Sequence, residues 1–102
     1  MLLPFSILVE MVVGSLCVRL LLREARTLKD KRQVVRSIKD RLHNDFNVSV
    51  AEVDAEDKYQ LAVLGIAMVG NEAYHVRTSL EKIVEALRRH PVAELIGHEL
   101  EV

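Results

Sequence analysis

The stretch Thr27-Leu28-Lys29-Asp30-Lys31-Arg32 decides the fold, because the chain changes there from strand-like to helix-like patterning. Thr27 followed three residues later by Asp30 is a capping pattern, in which the threonine side chain closes the first helical turn and the carboxylate suits the positive end of the helix dipole. Beyond it, apolar residues recur at helical spacing: Leu28, Val35, Ile38, Leu42 and Phe46. The sequence therefore predicts that a helix begins after Thr27.

Strand patterns lie on both sides of this helix. Between Met11 and Arg23 apolar and polar residues alternate, which indicates a strand with one buried face. A β-branched run at 47–54 and an almost entirely apolar run at 60–69 predict two further strands, the second of them in the middle of a sheet. The acidic residues at 55–58 have the composition of a hairpin turn between them.

The rest of the chain predicts a second helix and a fourth strand. We expect this helix to have Asn71 as its N-cap and to end near His90, because Pro91 blocks its continuation. The last strand is predicted over 93–102. The order strand, helix, strand, strand, helix, strand predicts a ferredoxin-like α+β fold, with a four-stranded antiparallel sheet and two helices on one face. Right-handed crossovers place the first and third strands centrally.

Length and composition favour one domain in a reducing compartment. The chain has 102 residues, half of them hydrophobic, and we assign residues 11–102 to a single domain. Residues 1–10 form an apolar extension, which is either an extra strand or the product of a mis-assigned start. This segment is shorter than the ~20 residues that span a bilayer, so no membrane partner is expected. The lone Cys17 forms no internal disulfide, which fits a cytoplasmic protein.

Positive charge is concentrated between Arg19 and Arg41, although the net charge of the protein is only −1. At 100° per residue, four cations of the first helix and His43 share a sector of about 80° beside the apolar stripe. Arg23 and Arg26 extend this basic flank into the preceding connection. A flank of this kind can follow a phosphate backbone. We predict nucleic-acid contacts at these residues, centred on Arg32 and Arg36: Arg23, Arg26, Lys29, Arg32, Arg36 and Lys39.

Other interpretations of the same charges stay open. The cations can be a solvated helix surface that neutralises the acidic residues at 52–57. Only four aromatic residues are present, and none lies on a strand in the pattern that stacks bases, so any RNA contact is expected to depend on shape and phosphates. A third class is a homo-oligomer or a small-ligand regulatory module, which would use either the sheet face that no helix covers or an edge strand.

Neither catalysis nor metal binding has a convincing set of residues. The four histidines show no paired metal-ligand spacing, and no cofactor is predicted. Acylphosphatases share the predicted topology and use an arginine in the first loop with an asparagine on a strand, which Arg23, Arg26 and Asn47 superficially supply. The glycine-rich phosphate cradle of that family is missing, and topology alone does not confer chemistry. We therefore assign no catalytic residue and rank an enzyme last.

Three stretches resemble the YlxP-like family of small bacterial proteins: Met11–Gly14, Glu24–Arg32 and Phe46–Asp54. The resemblance covers nearly all of the last 92 residues. It implies a ferredoxin-like fold and genes that often neighbour those for translation initiation and ribosome maturation, including a ribosome-binding factor. No catalytic residues are established for the family, so none is carried over. We expect a non-enzymatic accessory factor that binds RNA or a ribosomal subunit and forms a homo-oligomer.

Overall fold

The structure is a computed structural model that describes residues 10–102. The predicted extension therefore lies, except for Glu10, outside the described residues. Six elements follow one another in the predicted order: β1 (Val12–Leu21), α1 (Leu28–Asp45), β2 (Val48–Asp54), β3 (Leu61–Gly70), α2 (Ala73–Arg88) and β4 (Glu94–Glu101). Within residues 10–102, neither helix is long and apolar enough to cross a bilayer.

The four strands form one antiparallel sheet in the order β2-β3-β1-β4. The predicted ferredoxin-like topology is confirmed, with β1 and β3 at the centre. These two strands pair along their whole length, from Val12 opposite Gly70 to Leu21 opposite Leu61. The edges β2 and β4 each show one register shift against their neighbour. Because β1 and β3 are antiparallel, the end of β1 and the start of β3 lie at the same end of the sheet, which is called here the β1 C-terminal end.

Both helices pack on the same sheet face. The predicted alternation of β1 is confirmed, because Leu16, Val18 and Leu20 are buried in a single core with the apolar stripes of α1 and α2. Across the described residues, no helix covers the opposite face. The side chains on this face come from the alternate strand residues, which point away from the core. Among them, Val13 and Val69 remain about half exposed.

Gly14 allows α2 to approach the centre of the sheet. A Cβ atom at this position would lie 2.5 Å from Val76 Cγ1 and 2.8 Å from Leu80 Cδ1, which is closer than carbon atoms pack. Both contacting residues are fully buried on α2. The absence of a side chain at Gly14 is therefore what lets the second helix sit directly on β1.

The first helix begins as the sequence predicts, whereas the second does not. Thr27 Oγ1 accepts a hydrogen bond of 3.1 Å from the Asp30 backbone N–H, and Asp30 Oδ2 accepts one of 2.9 Å from the Arg26 N–H. The N-cap assigned to Asn71 is wrong. Because β3 continues to Gly70, Asn71 lies in the turn and Glu72 takes the cap position without a capping hydrogen bond from its side chain.

Candidate nucleic-acid interface

Four predicted cations lie along one side of α1. Lys29, Arg32 and Arg36 are exposed, and Lys39 is partly buried. These residues are three or four positions apart, so neighbouring side chains follow one another along the helix. None of the four takes part in the ion pairs found within residues 10–102, which are Arg23–Glu94, Lys31–Glu52 and Arg88–Glu85. The basic flank of α1 is thus a solvent-facing cationic row in the described part of the chain.

Lys31 has a different environment from its neighbours. Its side chain is 1% exposed, and Nζ lies 2.7 Å from Glu52 Oε2. The ammonium group also donates to three backbone oxygens: Ala55 O at 2.8 Å, Leu61 O at 3.2 Å and Glu56 O at 3.3 Å. An ammonium group has three protons, and four oxygen atoms share them. The Glu52 carboxylate lies closest to Nζ, so an ion pair and bonds to backbone carbonyls together hold the Lys31 side chain.

This buried contact ties α1 to the β2–β3 hairpin. Ala55 lies in the hairpin turn with φ 57°, in the left-handed region, and its carbonyl accepts the shortest of the Lys31 hydrogen bonds. The turn is closed further by Lys58 N–H, which donates to the same carbonyl at 3.0 Å. Lys31 is consequently a structural cation, and it matches the alternative in which residues at 52–57 neutralise charge on the first helix.

Arg23 is held by an exposed ion pair. Its Nε lies 3.0 Å and its terminal nitrogen 2.9 Å from Glu94 Oε2 at the start of β4. Both side chains are more than half exposed, and pairs of this kind contribute little free energy because water screens them. Arg23 is therefore the one predicted site residue with a carboxylate partner among the described residues, and this partner is weakly held.

The β1–α1 connection borders an open cavity of about 710 Å³ at the β1 C-terminal end of the sheet. The cavity brings together Arg23, Arg26 and two residues that the sequence interpretation did not assign to the site, Tyr59 and Gln60. Gln60 Nε2 donates to the carbonyls of Arg23 at 3.0 Å and Ala25 at 3.3 Å. Leu22 N–H donates to Gln60 O at 2.8 Å. These bonds fix the connection to the start of β3.

The groups that resemble an acylphosphatase site do not converge. Arg23 and Arg26 follow β1 at its C-terminal end. Asn47 precedes Val48, which pairs with Met68, and Met68 in turn pairs with Gly14 near the start of β1. Asn47 is thus at the opposite end of the sheet from the two arginines. The arrangement that would have favoured this chemistry is absent from the described fold.

The remaining reactive groups are scattered. No group of three or more His, Cys, Asp or Glu residues within residues 10–102 has the geometry to hold a metal ion. Cys17 is partly buried on the open sheet face. His90 Nδ1 accepts from the N–H groups of Val92 at 3.2 Å and Ala93 at 3.1 Å, which closes the α2–β4 turn. Partial burial, and then the charge of Arg41, lower the pKa of His90.

Two signals in the sequence would have refined this site. Lys31 precedes Val35 by four positions and Ile38 by seven, so helical spacing alone places it inside the buried stripe. Tyr59 and Gln60 directly precede β3, and antiparallel pairing with β1 brings that position to the connection that carries Arg23. The first inference needs only the phase of the helix, whereas the second needs the register of β1 against β3.

The family described as "Protein of unknown function (DUF503)" matches residues 13–100. The chain belongs to this family. A curated relative, "Uncharacterized protein YlxP" of Bacillus subtilis (strain 168), is 32% identical over 71 residues, which are 70% of this chain and 77% of the relative. The predicted resemblance to the YlxP-like proteins is confirmed. The residues matched to the DUF503 family include all of β1 after Val12, the whole of α1 and the hairpin that Lys31 joins to α1.

Proposed function

We propose that the protein is a non-enzymatic accessory factor that binds the phosphate backbone of ribosomal RNA through the basic flank of α1. The observation that carries this proposal is the environment of the Arg32 and Arg36 side chains. They lie one helical turn apart, both are exposed, and neither has a carboxylate partner within residues 10–102. Cations that are not neutralised by the protein itself remain available to an external polyanion.

The length of the flank sets the size of the contact. From Lys29 to Lys39 the helix rises by about 15 Å, at 1.5 Å per residue. A strand of nucleic acid presents one phosphate per ~3.4 Å of axis, so about four phosphates fit along this row. Arg32 and Arg36 occupy its middle, Lys29 and Lys39 its ends. Arg26 and Arg23 continue it around the start of the helix.

The choice of ribosomal RNA depends on the family resemblance. Genes of YlxP-like proteins often neighbour genes for translation initiation and ribosome maturation, which supports a ribosomal partner. A cytoplasmic location accompanies this proposal, since ribosomal RNA is found there.

Co-sedimentation with ribosomal subunits at low and moderate salt tests the proposal. The variant Arg32→Glu/Arg36→Glu is expected to keep the fold and lose retention on the subunits. A matched control is Arg77→Glu/Lys82→Glu on α2, which changes the net charge equally at exposed positions. Retention of the control at the wild-type level assigns binding to α1. Equal retention of both variants contradicts the proposal.

The open sheet face supports a second candidate, in which a second copy of the chain covers it. Val13, Val53 and Val69 are each more than half exposed there, and Val53 lines a shallow trough of about 420 Å³ together with Cys17 and Gly65. An apolar face of this kind favours self-association. Sedimentation at micromolar concentration is expected to give a dimer, and Val69→Lys a monomer. A wild-type monomer at that concentration rules this candidate out.

A further inference from the structure

Tyr59 places an aromatic ring beside the cations that precede α1. The residue is 44% exposed, and it lines the cavity of about 710 Å³ together with Arg23, Arg26 and Gln60. A tyrosine that only packed a core would be buried, whereas Tyr59 keeps much of its surface exposed beside the cavity. It is therefore available for contact with a flat ligand.

Hydrogen bonds hold the residues on both sides of Tyr59. The adjacent Gln60 makes two side-chain hydrogen bonds to the β1–α1 connection and accepts a third through its carbonyl. On the other side, Lys58 N–H closes the hairpin turn by donating to Ala55 O. Tyr59 is thus enclosed between two fixed residues. A platform that is ordered before binding loses less conformational entropy when a ligand arrives.

Charge in the cavity favours a neutral aromatic group. Arg23 is paired with Glu94, and Glu24 also lines the cavity, so Arg26 is the cavity cation without a carboxylate partner among residues 10–102. One unpaired cation, beside a second whose ion pair is exposed, suits one phosphate and not a cluster of them. The remaining volume, next to an exposed ring, suits an uncharged planar group.

We propose that this cavity holds an unpaired base of single-stranded RNA, stacked on Tyr59, while Arg26 contacts the adjacent phosphate. This inference rests on the proposed function and specifies which form of RNA the site prefers. Bases of a duplex are stacked within it and cannot reach a side chain in this way, whereas bases of loops and ends can. Stacking on an aromatic side chain is tolerant of sequence, because every base has a flat face.

Binding of a short single-stranded RNA and of a duplex of the same sequence tests the preference. Tyr59→Ala is expected to weaken single-strand binding by about 5- to 150-fold, the range for loss of one stacked base. Tyr59→Phe keeps the ring and is expected to bind as the wild type does. Duplex binding and the dependence of affinity on salt should be unchanged in both variants, since neither removes a phosphate contact.

Tyrosine emission gives a second, direct measurement. The chain has two tyrosines and no tryptophan, so in a Tyr74→Phe background Tyr59 is the single emitter. Tyr74 is 75% exposed, and its replacement is expected to leave the fold intact. Saturation with single-stranded RNA should quench the emission, and the duplex should leave it unchanged.

The outcomes separate this inference from the proposed function. If Arg32→Glu/Arg36→Glu abolishes binding while Tyr59→Ala binds single strands normally, the stacking site is wrong and the phosphate row stands. If the wild type binds neither RNA at low salt, both are wrong. Equal weakening of single-strand and duplex binding by Tyr59→Ala also contradicts the stacking site, because that result indicates a general disturbance of the cationic surface.

Discussion

Lys31 and Arg32 are neighbours in the sequence with opposite environments. Lys31 is 1% exposed and touches four oxygen atoms of the β2–β3 hairpin and its strands. Arg32 is exposed and has no ion-pair partner within the described range 10–102. A one-residue step turns a helix by about 100°, which moves a side chain from the buried stripe to the solvent. Position on the helix, and not charge, separates a structural cation from a cation that stays exposed to solvent.

The energetic consequence of the two positions differs just as strongly. Burial removes Lys31 from water, and this cost is offset only because all its donors and its charge have partners. Arg32 keeps its hydration and forms no comparable contact, so it contributes little to stability. The comparison therefore predicts that mutations separate two properties: free energy of unfolding at Lys31 and RNA affinity at Arg32.

The largest loss of stability is expected from Lys31→Met. The variant keeps most of the side-chain length but leaves Glu52 as an uncompensated, mostly buried charge and removes the Lys31 donor from three carbonyls. Removal of one member of a buried pair costs about 3–5 kcal/mol in free energy of unfolding. Urea unfolding measures this loss. The matched control Arg32→Met should change stability by less than about 0.5 kcal/mol.

A double variant separates the two ways in which Lys31 contributes to stability, its ion pair with Glu52 and its hydrogen bonds to backbone carbonyls. Lys31→Met/Glu52→Gln removes the unpaired charge but still leaves the carbonyls of Glu56 and Leu61 without the Lys31 donor, while Ala55 O keeps only its bond from Lys58 N–H, so we expect only part of the stability to return. Full recovery would mean that the ion pair alone matters. Equal stability of Lys31→Met and the wild type would contradict the structural role itself.

A smaller loss of stability is expected from Thr27→Ala, which removes the N-cap of the helix that carries both cations. Loss of the hydroxyl leaves the Asp30 N–H without its acceptor and is expected to cost about 1 kcal/mol, as for other N-caps. Thr27→Ser retains the acceptor and serves as the control. Thermal unfolding distinguishes them, and identical midpoints for both variants would show that the cap does not hold the start of α1.

The smallest effect concerns His90, a group whose charge changes with pH. Its pKa is lowered in the folded state, so between that value and the usual value of about 6.5 the unfolded chain binds more protons. Its contribution to stability is therefore complete above about pH 6.5 and is lost as pH falls below it. The difference in melting temperature between the wild type and His90→Gln should be larger at pH 7.5 than at pH 5.5. A constant difference would contradict this linkage.

The fold could be predicted from the sequence because its signals are local and agree with one another. The Thr27 cap, the alternation of β1 and the apolar run of β3 each specify one element, and the crossover rule then gives the strand order. Asn71 failed as a cap because a single residue of extra strand length moves the helix start, and no local pattern reports that length.

The site could be predicted only in part. The exposed row on α1 follows from helical spacing. The same spacing places Lys31 in the buried stripe, whereas a simple count of positive charges on the helix does not distinguish Lys31 from its exposed neighbours. The pairing of Arg23 with Glu94 and the position of Tyr59 beside Arg26 join residues that are distant along the chain. Such contacts depend on sheet register, which the sequence specifies less directly than it specifies the elements.

The salt dependence of RNA binding tests the cationic row on α1 most directly. If about four phosphates are neutralised, log affinity should fall with log salt concentration at a slope near −3. Arg32→Ala should reduce the slope by about one, whereas replacement of a cation on α2, such as Lys82→Ala, should leave it unchanged. A slope near zero, or equal slopes for the wild type and Arg32→Ala, would contradict the account.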